Sequence, residues 1–454
     1  MYNCQQRDTR WYQRLRGMTV GDSLRARLIR AGFGSAGLQA VNRILLLILA
    51  IILARVLGAE GYGIYAFAFA IMRLLMVGAE AGMPALLMRE IATSHGREQW
   101  GLLRGALRRA GQFVTLVATV ISLIGLGILW WLSERFEPAV VQTIGLMLLA
   151  LPAAAMVRTL AAALQGLHRV IIGQSLDMLW RPLLVLLFVS IMFLMWPEWR
   201  QPQSAMAVQV VALFLVLMLG ALLLWRILML QVGNARPEFR TREWLKSALP
   251  FTLIGGAAII NNHTDVIMLG WLRSAEEVGI YRVAVQGATL VAFGLQAANA
   301  VIAPQFARLH ARGDMARLQS LVTQSARVIL LVALPVTLAF MLAGGAIVGW
   351  VFGDEFAAAH LSLAILALGQ LINAAFGSVA LLLNMTGHES VSAHILWQTA
   401  VLNIVLNGLL IPFYGMSGAA VATALSLALW NFMLYRQVRN RLGLISTALR
   451  FKSL

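Results

Sequence analysis

One cysteine, two lysines and a scarcity of acids set the first limits on this chain. Cys4 is the sole thiol, so no internal disulfide can form and cysteine usage says nothing about redox compartment. Charged residues make up 12% of 454 positions, against about 25% in ordinary soluble domains. No GxxxxGK[ST] run is present, which excludes a P-loop nucleotide site. There is no D-x-D and no Gly-x-Ser-x-Gly. His388-Glu389 with His394 has the wrong spacing for two zinc ligands one helical turn apart. The sequons Asn262-His263-Thr264 and Asn384-Met385-Thr386 fall in or beside apolar runs and read as accidental. No cofactor and no metal centre is expected.

What the chain has is apolar length. Hydrophobic residues reach 60% and the mean hydropathy is +0.79, the signature of a protein whose solvent is largely lipid. Twelve runs are long and apolar enough to span: 36–57, 63–88, 113–132, 139–162, 173–196, 207–226, 248–270, 279–303, 328–352, 361–384, 391–412 and 417–435. They lack the alternation of barrel strands, so all are expected to be helices. Residues 1–30 carry seven arginines and no apolar core, unlike a cleavable leader. Met18 is an alternative start to Met1.

The excess of 36 basic over 19 acidic residues would suggest nucleic acid on a soluble protein. Its placement argues otherwise. Loops on one side of the twelve spans hold 27 of the 36, loops on the other hold 3, and 6 lie within spans. By the positive-inside rule both termini are expected in the cytoplasm, and no nucleic-acid partner is needed. The arginine-poor loops are short. Function is therefore expected between the helices.

The chain also repeats. Gly63-Ile64-Tyr65 matches Gly279-Ile280-Tyr281 at an offset of 216, while Phe136 matches Phe356 and His168 matches His388 at 220. These predict two six-helix bundles in the same orientation, a parallel pseudo-repeat with the substrate route between its halves. The expected division is a tail at 1–35, bundles at 36–226 and 248–435, a linker at 227–247 and a tail at 436–454.

Ionisable groups inside spans are candidates for function. Arg73 lies deep in the second span, with Glu80 two turns along the same face. Asp177 and Arg181 are spaced for an intrahelical pair, followed by Pro182. Arg43 lies two turns into the first span. Asn261-Asn262-His263-Thr264-Asp265 places five polar groups in a row on an apolar helix. His263 or Asp265 could exchange a proton there, and Asp265 could bind sodium. Arg55, Arg158 and Arg282 sit near span ends and are expected to snorkel; Asn403 and Asn407 read as packing contacts. Six arginines outnumber Glu80, Asp177 and Asp265 in the spans. The interior is thus net positive and favours an anion such as a phosphate or diphosphate.

Ala54-Arg55-Val56-Leu57-Gly58-Ala59-Glu60-Gly61-Tyr62-Gly63-Ile64-Tyr65 resembles the opening of the polysaccharide exporter family, which includes Wzx-type O-antigen flippases. Glu80-Ala81-Gly82 with Arg89-Glu90-Ile91-Ala92, Asp265 through Tyr281, Leu383 through Glu389 and Ile411 through Ala420 resemble later segments in the family's order, covering about 30–440. The resemblance implies the multidrug/oligosaccharidyl-lipid/polysaccharide exporter superfamily: two six-helix bundles around a central cavity and alternating access. The implied activity is transfer of polyprenyl-diphosphate-linked oligosaccharide between leaflets of a bacterial inner membrane, which is not an enzymatic reaction. It implies Arg43, Arg73 and Arg181 as diphosphate contacts, membrane lipids as surroundings, and a polysaccharide polymerase and chain-length regulator as partners. Glu80, Asp177, His263 and Asp265 are candidates for ion coupling. Rival readings are a multidrug exporter, disfavoured because the first span carries Asn42-Arg43 and no acid, and a membrane-embedded polymerase or acyltransferase, which would need a large exterior loop.

Overall fold

The computed structural model describes residues 24–231 and 235–448, with side chains described for 34–229 and 235–448. Cys4, Met18, most of the expected N-terminal tail, residues 232–234 of the expected linker and the last six residues lie outside the described residues.

Among the described residues every long element is helical: α1 (Leu24–Glu80), α2 (Met83–Gly96), α3 (Trp100–Trp131), α4 (Pro138–Gly166), α5 (Val170–Ser175), α6 (Arg181–Met195), α7 (Pro202–Gln231), α8 (Thr241–Leu272), α9 (Ala275–Ala311), α10 (Met315–Phe352), α11 (His360–Phe376), α12 (Val379–Met385) and α13 (Glu389–Leu442). A π-helical turn, Leu176–Trp180, joins α5 to α6. Nine helical segments of the described residues are long and apolar enough to cross a membrane. Two of them are double. In α1 the backbone leaves the helical region at Gly58 (φ 71°) and in α13 at Gly415 (φ 54°), a conformation glycine adopts without a Cβ clash. Each makes a hairpin of two spans. With α8, whose polar centre lowers its hydropathy, the traverses number twelve, as the apolar runs predict.

The surface is inside out by the standards of a water-soluble protein. Leu342 is 83% exposed and Phe413 79%. Side chains of this kind have lipid as their partner. Inside, helices approach over small residues (Ala54, Ala68, Ala79, Ala155, Ala284 and Ala419 are all buried), which lets backbones come close where no water drives association.

The expected repeat has a physical counterpart. A Cβ on Gly63 would lie 1.7 Å from the Ala275 carbonyl oxygen, and one on Gly279 would lie 1.9 Å from the Ala59 carbonyl oxygen. Both pairs are related by the offset of 216. The second arm of α1 and α9 therefore cross glycine-on-glycine, as two equivalent elements around an axis must. The matched phenylalanines behave likewise. Phe136 meets Trp271 edge-on at 6.0 Å, and Phe356 meets Tyr62 edge-on at 6.3 Å, each reaching into the other half. At the arginine-rich end, non-helical residues (235–240 in the first half, 443–447 in the second) pack back on their own half. Glu238 N–H donates to Gly101 O at 2.9 Å in the first half, and Ile445 exchanges hydrogen bonds with Gln319 (2.7 and 2.8 Å) in the second.

Candidate functional site

A cavity of about 660 Å³ lies between the halves. Both arms of α1 line it, with the start of α6, one residue of α7, and α8 and α9. Its polar wall is arginine: Arg43, Arg73 and Arg181 from the first half and Arg282 from the second. Gln209, Gln286, Gln296, Thr289 and His263 add neutral polar groups, and Tyr62, Tyr65, Phe69 and Phe293 add aromatic faces. Among the described residues no carboxylate lines it.

The arginines differ in what holds them. Arg181 is buried, and its Nε stands 2.9 Å from Asp177 Oδ1, the pair anticipated from spacing. The π-helical turn runs through Asp177, and π turns often mark functional positions. Arg73 packs its guanidinium over the Phe69 ring at 5.0 Å. Arg43 lies over Phe293 at 5.5 Å and donates to Gln296 Oε1 on α9. Among the described residues Arg43, Arg73 and Arg282 form no ion pair. The site therefore presents cationic donors with one acid already committed, in a wall of low polarity where charge–charge interactions are strong.

The structure brings Arg43, Arg73, Arg181 and His263 into one cavity. It does not bring Glu80 there: Glu80 Oε1 pairs with Arg158 Nε of α4 at 3.2 Å, not with Arg73. Asp265 is buried behind the wall. It accepts from Tyr281 Oη at 2.7 Å and from Thr423 Oγ1 at 3.5 Å, and its Oδ1 takes the Val266 N–H at 2.8 Å. Asn403 and Asn407 are buried in the same half, Asn407 Nδ2 donating to Asn403 Oδ1 at 3.0 Å.

Three expectations of snorkelling are corrected. Arg158 is held by Glu80. Arg55 donates from Nε to Val351 O at 2.8 Å and from a terminal nitrogen to Trp350 O. Arg282 lines the cavity, because α9 begins at Ala275 and places it two turns inside. A signal for it was present in the chain. Arg282, Gln286, Thr289, Phe293 and Gln296 recur every three or four residues, and this stripe is the face of α9 that lines the cavity.

The folded chain has the architecture of a polytopic membrane protein, and solved transporters share it. A multidrug resistance MATE transporter of the MOP superfamily in an inward-facing conformation superposes with a TM-score of 0.72, covering 88% of this chain and 94% of that one at 13% identity. Lipid II flippase MurJ in an inward closed conformation gives 0.71, covering 90% and 87% at 12% identity. A MOP superfamily transporter from Pyrococcus furiosus, described as having a binding pocket of reverse polarity, gives 0.62, covering 94% and 97% at 12% identity. These likenesses establish the twelve-span, two-bundle fold.

The chain belongs to the polysaccharide biosynthesis protein family, which matches residues 29–310. Among curated relatives, the probable low-salt glycan biosynthesis flippase Agl15 of Haloferax volcanii is 26% identical over 207 residues, 45% of this chain and 44% of the relative. An uncharacterized membrane protein of Methanocaldococcus jannaschii is 26% identical over 189 residues, 41% and 37% of the two chains. The chain thus matches less than half the length of these relatives.

Proposed function

We propose that this protein is a flippase that moves polyprenyl-diphosphate-linked oligosaccharide across a bacterial inner membrane by alternating access, for O-antigen, capsule or exopolysaccharide assembly. One observation carries the reading: a cavity between two pseudo-equivalent bundles, lined among the described residues by four arginines drawn from both halves and by no carboxylate. Guanidinium groups bind phosphate oxygens in bidentate fashion, and the neutral amides and aromatic rings beside them suit sugar hydroxyls and ring faces. Arg43, Arg73, Arg181 and Arg282 hold the diphosphate. The polyprenyl tail stays in lipid. The named flippase among the relatives supports the class of cargo.

In this reading both termini are cytoplasmic, on the strength of the 27-to-3 bias in basic residues. The bundles comprise 36–226 and 248–435, joined by the linker 227–247, with a polysaccharide polymerase and a chain-length regulator as partners. Asp265 is the coupling group. It is a buried carboxylate that no described cation pairs with, so a proton or a sodium ion must neutralise it for part of the cycle. Glu80 and Asp177, each beside an arginine, serve structure instead, and His263 serves the cavity wall.

Deleting the gene and identifying the lipid-linked saccharide retained on the cytoplasmic leaflet tests the proposal. Accumulation supports it. An unchanged lipid-linked pool with surface glycan intact refutes it. The rival, a cation-exporting multidrug transporter, would place an acid in the cavity. None of the described residues lining this one is an acid.

A further inference from the structure

We propose that the arginine-poor end of the molecule is closed by a reciprocal latch between the halves, in which Glu355 caps a helix of the first half and Arg55 caps a helix of the second. The break at Gly58 starts a new helical arm, and Glu355 Oε2 accepts the Ala59 N–H at 3.0 Å. A helix N-terminus exposes unpaired N–H groups and a partial positive charge, which a carboxylate satisfies. On the other side α10 ends at Phe352, and Arg55 binds the carbonyls of Trp350 and Val351. A helix C-terminus exposes carbonyls and a partial negative charge, which a guanidinium satisfies. Arg55 and Ala59 straddle Gly58, while Val351 and Glu355 straddle Gly353 (φ 119°). Each half thus offers one charged side chain and one helix end, and each helix end is filled by the other half's side chain.

The latch roofs the cavity. Next to Glu355 in the chain, Phe356 packs edge-on against Tyr62, which itself lines the cavity. The fold supplies its own control at the second hairpin. Glu277 Oε2 accepts the Met416 N–H at 3.1 Å after the break at Gly415. The chemistry is the same, but both partners belong to the second half, so that cap need not part when the halves move. The assignment rests on the alternating-access reading.

The test uses a Cys4→Ser background, which removes the sole thiol, with Ala66→Cys in the cavity wall as a reporter. A membrane-impermeant maleimide is applied to the arginine-poor face. Glu355→Gln combined with Arg55→Gln is expected to raise the labelling rate at least fivefold, and Glu277→Gln to leave it unchanged. Equal labelling with and without the latch changes, or an equal rise with Glu277→Gln, overturns the proposal. A second arm guards against misfolding: Ala59→Cys with Glu355→Cys, oxidised to a cross-link, should stop export until reductant is added. Export by the cross-linked protein overturns the latch. The outcomes separate from those for cargo. A latch that fails while Arg73→Ala abolishes export leaves the flippase reading standing, and a latch that holds while Arg73→Ala exports normally removes the cargo reading alone.

Discussion

Replacing Gly63 with alanine exchanges one hydrogen for a methyl group, yet it strikes a very tight crossing between the halves. The new Cβ would lie 1.7 Å from Ala275 O and 2.9 Å from Gly279 N. Ordinary contact begins near 3.4 Å, and both atoms met are backbone, so no side chain can swing aside. The second arm of α1 and α9 must part by well over an ångström. Overpacking of this kind costs about 1–3 kcal/mol, which corresponds to about 5- to 150-fold in the equilibrium between a closed and an open crossing. Gly279→Ala meets Ala59 O at 1.9 Å from the other side and should cost a similar amount. The two are one contact seen twice. Once the helices have moved for the first methyl the second costs little, so the double variant should fall well short of the sum. Gly145→Ala is the control: its Cβ meets only a Leu129 side chain at 3.7 Å, and alanine gains about 1 kcal/mol of helix propensity over glycine. The assay is thermal unfolding in detergent together with maleimide labelling of the Ala66→Cys reporter. Gly63→Ala should unfold at lower temperature and label faster. If it tracks Gly145→Ala in both, or if the two glycine effects simply add, the glycine-on-glycine crossing is not the contact described here.

Other perturbations read the interior. Arg73→Ala and Arg282→Ala should each abolish surface glycan with protein level intact, and lysine at either position should not restore it, because an ammonium offers no planar fork; normal glycan in Arg282→Ala would remove the second half from the binding wall. Asp265→Asn keeps the shape and the Tyr281 contact but deletes the charge, so residual export should lose its sensitivity to ionophores; retained sensitivity would move coupling elsewhere. Arg158→Ala leaves Glu80 with 13% side-chain exposure and no ion partner. Because Arg158 is itself 38% exposed, solvent screening limits the loss to about 1 kcal/mol, and adding Glu80→Gln should recover most of it in a thermal-shift measurement.

Much of the architecture is legible in the sequence. Span number follows from apolar length, because lipid admits no unpaired backbone. The hairpin at Gly58 lies in the gap between the first two runs. Asp177 and Arg181 were legible as a pair because i,i+4 spacing fixes them on one helix face whatever surrounds it. The ion partner of Glu80 is not legible for the complementary reason. Arg73 and Glu80 do share a face, but α4 presents Arg158 at that level, and a partner on another helix leaves no mark in local spacing. Arg55 reads from sequence as reaching for headgroups, since nothing in the neighbouring sequence shows that the end of α10 lies beside it. Depth misled for Arg282. The apolar run begins at 279, whereas the helix begins four residues earlier, enough to carry the side chain from the rim into the cavity.

The repeat is broken in chemistry, and the break is where a mechanism can live. The offset of 216 that superposes Gly63 on Gly279 places Tyr65 on Tyr281, but Arg73 on Thr289 and Leu49 on Asp265. Tyr65 faces the cavity, while Tyr281 turns its hydroxyl to Asp265. Three of the four cavity arginines therefore belong to the first half, and the buried acid without a basic partner belongs to the second. Divergent halves can bind an anion in the shared crevice and a cation within one bundle, at sites linked through α9, which carries Arg282 to the first and Tyr281 to the second. Successive residues on a helix point about 100° apart, so a small rotation of α9 changes both environments together. Coupling of this kind is reciprocal. If the cargo anion alters the affinity of the Asp265 site for its proton or sodium ion, that ion must alter the affinity for the anion by the same factor. Arg282→Ala and Asp265→Asn should then be strongly non-additive in binding assays with purified protein, and strictly additive effects would confine each half to an independent task.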